Sequence, residues 1–331
     1  MTISLFAKIR SVVEDLLFLF QKVYIMHHKN IVSAMTLYFI RDKLQLQRFA
    51  FISKQYFDIC KELDTQGSQS KHHVSGSEGY DWKHHTEEIR NSFEKGVHLG
   101  FLRQHNIAVT MVNGGDYIAY RKKIKFIQSV FKNPAELLRE DYIGLPHIVG
   151  IRYVTSENRT HHAYHLASYE VAVKKSISQW SNVVEWGGGY GDMARLVKRL
   201  NNGCTYIIID ITELCVLQYV YLYSLLGEEV NLVIPDRTGL IKGKINIVSV
   251  GSVLSGEIKI FTDAFISTWA LTESPRESQM FVYEKSFFGA ENILLAYSPD
   301  GHNHLKSLLP AKGFIVKPIS VLENKHDYAF R

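Results

Sequence analysis

One short stretch constrains this chain more than any other. Val183-Val184-Glu185-Trp186-Gly187-Gly188-Gly189-Tyr190-Gly191-Asp192-Met193-Ala194 reads as strand, glycine loop, helix. So many glycines let the backbone turn sharply and let a ligand approach with no Cβ in the way. From there to the C terminus, short apolar runs alternate with helical patterns. Helical spacing at Met193, Leu196, Val197 and Leu200 is followed by an apolar run at 206–209 and a helical stretch at 213–226. Further apolar runs stand at 230–234, 245–250, 264–269, 292–297 and 314–319, with a last piece around Tyr328. Such alternation predicts a mostly parallel sheet with helices on both faces. The glycine loop then lies at the carboxyl end of the first strand, where open α/β sheets bind ligands.

The glycine spacing separates two ligand classes. A dinucleotide fingerprint requires G-x-G-x-x-G, and counting from Gly187 the sixth position is Asp192, an anion where a pyrophosphate would sit. The spacing is instead E-x-G-x-G-x-G, through Glu185, Gly187, Gly189 and Gly191. This matches the pattern of proteins that bind S-adenosylmethionine, a ligand without phosphate that carries an ammonium and a sulfonium. An acidic strand end favours such a ligand. The second half of the signal is Tyr206-Ile207-Ile208-Ile209-Asp210, an apolar strand ending in a carboxylate that is expected to accept both ribose hydroxyls. The expected cofactor contacts are Glu185, Gly187, Gly188, Gly189, Gly191, Asp210, Ile211 and Thr268. A plainer alternative makes the glycines a tight turn and Asp210 the cap of the next helix.

At 331 residues the chain is long enough for two parts. Residues 1–140 read as a mainly helical region and 141–331 as the ligand-binding domain with its lead-in helix. Helical spacing runs through Val12, Leu16, Leu17 and Phe20, and again through Ile31, Met35, Tyr38 and Phe39. A Gly/Ser/His-rich link at 64–81 interrupts it, and periodicity resumes over 86–105. An alternating stretch at 107–111 reads as a short strand ending in a turn at Asn113-Gly114-Gly115. A helix over 116–131 follows, and Pro134 opens another.

Composition bounds the partners. The formal charge is +5 with scattered cations, and the densest spot, Arg121-Lys122-Lys123 with Lys125, reads as a solvated helix face. Nucleic acid is therefore not expected. The three cysteines, Cys60, Cys204 and Cys215, are far apart and form no metal-type pair, which fits a reducing compartment. No apolar run approaches the roughly 20 residues needed to span a bilayer, and no signal peptide is recognisable. The expectation is a cytoplasmic protein, with contact to the inner membrane and oligomerisation both left open.

Four stretches carry a family resemblance. They are the glycine loop from Glu185 to Gly191; Ile209-Asp210-Ile211-Thr212-Glu213 with the helix after it; Phe265-Ile266-Ser267-Thr268-Trp269-Ala270-Leu271-Thr272-Glu273; and Thr160-His161-His162-Ala163-Tyr164-His165-Leu166. Through them the chain resembles the sugar O-methyltransferases found with bacterial surface-polysaccharide genes. The resemblance covers residues 140–300, and the first 60 residues match no known pattern. It implies a Rossmann-like methyltransferase fold using S-adenosylmethionine. The implied acceptor is a sugar or glycan hydroxyl, carried free or linked to a nucleotide or lipid. That family usually has Asn, Ser and Met around the acidic residue of the third stretch. Here Ser267, Ala270 and Ser274 stand in that neighbourhood.

Methyl transfer to an alcohol is an in-line displacement. Alignment contributes about 7–11 kcal/mol and a general base typically about 10²–10⁴-fold. Candidate bases follow the strand ends or precede the first strand. Glu273 follows the 264–269 run; Asp300, His302 and His304 follow the 292–297 run; and His161 and His165 share one face of the lead-in helix. Glu273, His165 and His161 are the first choices. Glu273 could instead cap a helix starting near Ser274, and the histidines could be helix surface. The histidine cluster lacks the Glu of H-E-x-x-H, so no metal site is assigned; a Mg²⁺-assisted mechanism stays open but has no clear carboxylate cluster behind it. Two other functions stay open: an NAD(P)-dependent oxidoreductase on a related fold, and a non-catalytic methyltransferase-like binding module.

Overall fold

The structure is a computed structural model that describes residues 35–67, 82–112, 117–150, 152–298, 304–322 and 326–331. Helices dominate its first part: α1 (Lys43–Ile52), α2 (Tyr56–Gly67), α3 (Trp82–Ser92), α4 (His105–Met111), α5 (Tyr117–Val130) and α6 (Pro134–Leu138). Asp42 caps α1 by accepting from the Gln45 amide at 2.8 Å. A small antiparallel ribbon, β1 (Ile148–Gly150) with β2 (Thr155–Ser156), leads into α7 (Glu157–Val173). Ser156 caps α7 on the Arg159 amide, and Lys174 ends it in the left-handed region at φ 59°.

The second part is an eight-stranded sheet. Its strands are β3 (Asn182–Trp186), β4 (Thr205–Asp210), β5 (Val230–Leu232), β6 (Ile245–Ser249), β7 (Ala264–Thr268), β8 (Asn292–Tyr297), β9 (Ile315–Pro318) and β10 (Asp327–Phe330), in the spatial order β5-β6-β4-β3-β7-β8-β10-β9. β5 through β8 in that row are parallel, and β10 runs antiparallel to both β8 and β9. The helices between strands are α8 (Asp192–Leu200), α9 (Thr212–Leu226), α10 (Val250–Leu254), α11 (Ala270–Glu273) and α12 (Arg276–Glu284). Every residue of β4 is buried, as a strand covered on both faces requires. Alternation sorts the side chains into two layers. Val183, Tyr206 and Ile208 join one apolar core, while Val184, Trp186, Ile207 and Ile209 join the other. From β3 the chain winds outward to β4 and β6, then returns to build β7 and β8 on the other side. The order therefore reverses between β3 and β7, and open sheets of this kind bind ligands at the carboxyl ends beside that point. The observed class is the predicted one: α/β, with a mainly parallel central sheet after a helical region.

The apolar core runs across residue 140 without a break. Phe49 and Ile52 of α1, Tyr56 of α2 and Ile89 of α3 share it with Leu214, Leu217 and Val220 of α9. Arg90 bridges Asp64 at 2.8 Å and Glu213 at 2.7 Å across the same contact. A buried charge cluster ties the two parts together nearby. Arg159 is fully buried and meets Asp192 at 2.8 Å, Asp141 at 3.0 Å and Glu140 at 3.2 Å. Asp141 also pairs with Arg195 and Arg199. Burial alone would raise the Asp141 carboxyl; Arg195, Arg159 and Arg199 overcome it and hold that group well below the usual carboxylate range.

Two sequence expectations are corrected here. Residues 107–111 are helical, not a strand: they form most of α4, where Ile107 is buried and the Thr110 hydroxyl donates to the Asn106 carbonyl at 2.7 Å. A five-residue alternation also places its first and last residues one helical turn apart, so it does not discriminate between the two periods. The basic stretch is not fully solvated either, because Lys123 is buried and paired with Glu157 as α5 packs on α7. The helical reading of residues 12–31, most of the 64–81 link, the turn at 113–115, Asp300 and His302 lie outside the described residues. Among the described residues no helix is long and apolar enough to cross a membrane.

Candidate functional site

A cavity of about 450 Å³ opens at the carboxyl ends of β3, β4 and β7. Its size suits a small-molecule ligand. Glu185, Gly187, Gly188 and Gly189 form one side, Asp210 and Ile211 a second, and Thr268, Trp269 and Glu273 a third. Val109, Thr110 and Met111 of α4 cover it, and Asn158, His161 and His162 of α7 close the end. The described residues that line it include no Lys and no Arg.

Packing explains the loop. A Cβ on Gly187, which has φ +76°, would stand 2.0 Å from the Ala270 Cβ. Gly189 has φ +55°, and a Cβ there would point into open space, with only Met111 near at 3.9 Å. Side chains at Gly187 are excluded by neighbouring protein; at Gly189 they would fill ligand space. Gly191 does not line the cavity. It is the N-cap of α8, packed against Leu222.

Two carboxylates face this cradle. Glu185 accepts from the Tyr206 hydroxyl at 3.0 Å, and burial pushes its carboxyl up to about 8. Burial likewise pushes Asp210 up to about 7, against the pull of its hydrogen bonds. Asp210 Oδ2 accepts from the Gly188 amide at 2.9 Å and from Gln218 Nε2 at 2.7 Å, while Oδ1 accepts from the Ile211 amide at 2.9 Å. The Gly189 amide also bonds to this carboxyl, so its oxygens are largely engaged by the protein itself. Asp210 is not a helix cap, since Ile211 holds the N-cap position of α9 without a side-chain bond.

Asp192 corrects another expectation. Its carboxylate turns away from the loop. Oδ1 accepts from Arg159 Nε at 3.0 Å and Nη2 at 2.8 Å, and Oδ2 lies 2.9 Å from His162 Nδ1. A pyrophosphate would not meet this charge. What disfavours phosphate is the absence of Lys and Arg among the described lining residues, together with three acidic groups.

The candidate bases separate clearly. Glu273 ends α11 and lines the cavity, and burial raises its carboxyl. It does not cap α12, whose N-cap is Pro275. His161 also lines the cavity. Its ring stacks on Trp269 with centroids 5.7 Å apart, and both ring nitrogens are buried with no hydrogen-bond partner among the described residues. Burial and the nearby His165 and Lys123 hold its imidazole well below the usual histidine range. His165 is behind His161 and does not line the cavity; its Nδ1 meets the Tyr328 hydroxyl at 2.6 Å. The 161/165 face of α7 is therefore layered, and only its first member reaches the ligand space. His304 is also away from the cavity, with its amide donating to Gln279 Oε1.

Sequence reasoning missed three cavity residues. His162 was passed over because helical spacing paired 161 with 165. Trp269 sits at φ 64°, ψ −41°, a conformation that an L-residue holds only when its surroundings fix it. Here the indole N–H donates to His326 Nδ1 at 3.0 Å and the ring lies against His161. Met111 lies at the end of the stretch read as a strand. Among the described residues no group of His, Cys, Asp and Glu is arranged to hold a metal ion.

No family model matches the chain, and no curated protein matches it. Solved structures similar to it include magnesium protoporphyrin IX methyltransferase from Synechocystis PCC 6803 with bound S-adenosylmethionine, at 13% identity and a TM-score of 0.37, covering 66% of this chain and 99% of that one. An O-methyltransferase family protein from Burkholderia thailandensis is 12% identical with a TM-score of 0.35, covering 88% of this chain and 97% of that one. Human N-acetylserotonin methyltransferase in complex with S-adenosylmethionine is 12% identical with a TM-score of 0.33, covering 94% of this chain and 96% of that one.

Proposed function

We propose that the chain is an S-adenosylmethionine-dependent methyltransferase that methylates a hydroxyl group, and that the hydroxyl belongs to a sugar or glycan. The observation that carries the first half is the cavity itself. A glycine cradle with open space above Gly189 is combined with two buried carboxylates, and no Lys or Arg is among the described lining residues. That set suits a ligand rich in hydroxyls and positive charge. The glycine loop, Glu185 and Asp210 would hold it, with Ile211 and Thr268 beside them. When bound, the cofactor supplies an electrophilic methyl group.

The chain's own residues then align an acceptor and take its proton. Thr268, Trp269, Glu273, His161 and His162 also line the cavity and supply polar groups beside a flat aromatic wall. An aromatic face next to hydrogen-bonding groups suits a sugar ring, which presents C–H groups on one face and hydroxyls at its edge. Glu273 and His161 remain candidate acceptor contacts. His165 supports His161 from behind. The acceptor, free or carried on a lipid or nucleotide, would be met in the cytoplasm during glycan assembly. The three buried free cysteines are consistent with that compartment.

The test is methyl transfer from methyl-labelled S-adenosylmethionine to a panel of methyl hexosides, methyl 6-deoxyhexosides and extracted surface glycan. Label in a sugar supports the reading. Label appearing only in a phenol or an amine panel would retain the methyltransferase and overturn the sugar.

A further inference from the structure

We propose that His162, oriented by Asp192, is the group that takes the proton from the acceptor hydroxyl. This rests on the methyltransferase reading above and adds the residue that performs its proton transfer.

The geometry is that of a held imidazole. His162 Nδ1 lies 2.9 Å from Asp192 Oδ2. Asp192 is fully buried, and its other oxygen receives two bonds from Arg159. Arg159 is itself fixed by Asp141 at 3.0 Å and the Tyr221 hydroxyl at 3.1 Å. A carboxylate so placed accepts only, so His162 Nδ1 carries a hydrogen, and in the neutral ring the lone pair is on Nε2. The His162 side chain is 17% exposed and lines the cavity, which leaves Nε2 as the nitrogen available to a ligand.

The other candidates lack one part of this arrangement. His161 reaches the cavity, but neither of its nitrogens has a carboxylate to balance a gained proton. His165 has its Nδ1 on Tyr328 and does not reach the cavity. Asp192 also opens α8 directly after the glycine loop, so the segment that would hold the cofactor positions the base as well.

The step balances. As the acceptor oxygen forms its bond to the methyl carbon, the methyl–sulfur bond breaks and its electron pair stays on sulfur, which becomes a neutral thioether. The hydroxyl proton passes to His162 Nε2. The imidazolium faces the Asp192 carboxylate until the proton leaves to water.

Two measurements test this. Nitrogen-15 NMR of the full chain, with His162 assigned by difference from His162→Gln, should show the Nδ1–H tautomer, and Asp192→Asn should weaken that preference. An Nε2–H tautomer in the unaltered chain overturns the proposal. In the second, His162→Gln should stay folded and bind S-adenosylhomocysteine within twofold of the unaltered chain. Its methyl transfer to the methyl hexosides should fall by about 10²–10⁴-fold. Full turnover in that variant overturns the proposal. Failure of the unaltered chain to bind S-adenosylhomocysteine overturns the methyltransferase reading instead, and the tautomer still decides whether the dyad exists.

Discussion

Asp210 Oδ2 lies 2.9 Å from the Gly188 amide nitrogen, so the carboxylate at the end of β4 holds the loop that follows β3. Gln218 from α9 joins the same oxygen and also donates to the Gly189 carbonyl at 3.0 Å. The loop is therefore shaped by the protein itself before any ligand arrives. Asp210→Ala should act twice. Removing an acceptor from a buried amide costs about 1–3 kcal/mol of stability, and losing a charged hydrogen-bond partner weakens S-adenosylhomocysteine binding by about 1.5–3 kcal/mol. Melting curves and calorimetry read the two separately. An unchanged melting temperature would contradict the loop-holding role.

The two glycines at the front of the loop should fail differently. Gly187→Ala drives a methyl group into Ala270 and should lower the melting temperature. At Gly189 an added Cβ meets no protein atom closer than Met111, and Gly189→Val is opposed by its positive φ, a strain of about 1–2 kcal/mol. That variant should fold, melt slightly earlier and bind no S-adenosylhomocysteine. Retained binding would move the ligand away from this loop.

Glu185 predicts a pH dependence with a definite sign. Burial raises its carboxyl from the ordinary 4.5 to about 8 in the free protein. The native state thus holds a proton that the unfolded chain releases. Its contribution to stability is full below about 4.5 and is lost as pH rises through about 8. The ligand's ammonium group prefers the ionised form, so S-adenosylhomocysteine affinity should rise between pH 6.5 and 8.5 with release of protons. Glu185→Gln should raise the ligand-free melting temperature at pH 6.5, where the unaltered chain already pays to keep its proton, weaken binding, and flatten the pH dependence. Calorimetry in two buffers of different ionisation enthalpy measures the proton release; proton uptake would contradict this.

Arg159 is the structural centre of the buried charge cluster. Arg159→Met would leave Asp192, Asp141 and Glu140 without their shared cation. Breaking a buried pair on one side costs about 3–5 kcal/mol. Thermal unfolding should show a loss of that order, and a shift near zero would mean the cluster is relaxed by water.

The loop was legible in the sequence because its residues are local and their spacing is set by one turn. The parallel strands β3 to β8 were legible because each is short, apolar and bounded by helical spacing, whereas the β1–β2 ribbon, with Thr155 and Ser156 in it, was not. Residue 107–111 was not, since five residues cannot separate a period of two from one of 3.6, and Ile107 is buried by contacts distant in sequence. His162 and Trp269 were missed for a related reason. What singles out His162 is Asp192, 30 residues later, and what singles out Trp269 is a backbone conformation fixed by His161 and His326. Asp210 was readable as the acidic end of a strand, but its bonds to Gly188 and Gln218 depend on how the strands lie side by side.

Calorimetry of the unaltered chain with S-adenosylhomocysteine and, separately, with NAD at pH 8 tests the central claim most directly. The cavity predicts one site with micromolar affinity for S-adenosylhomocysteine, about −8 kcal/mol, and no measurable heat with NAD. No binding of S-adenosylhomocysteine at millimolar concentration, or preferential binding of NAD, would contradict it.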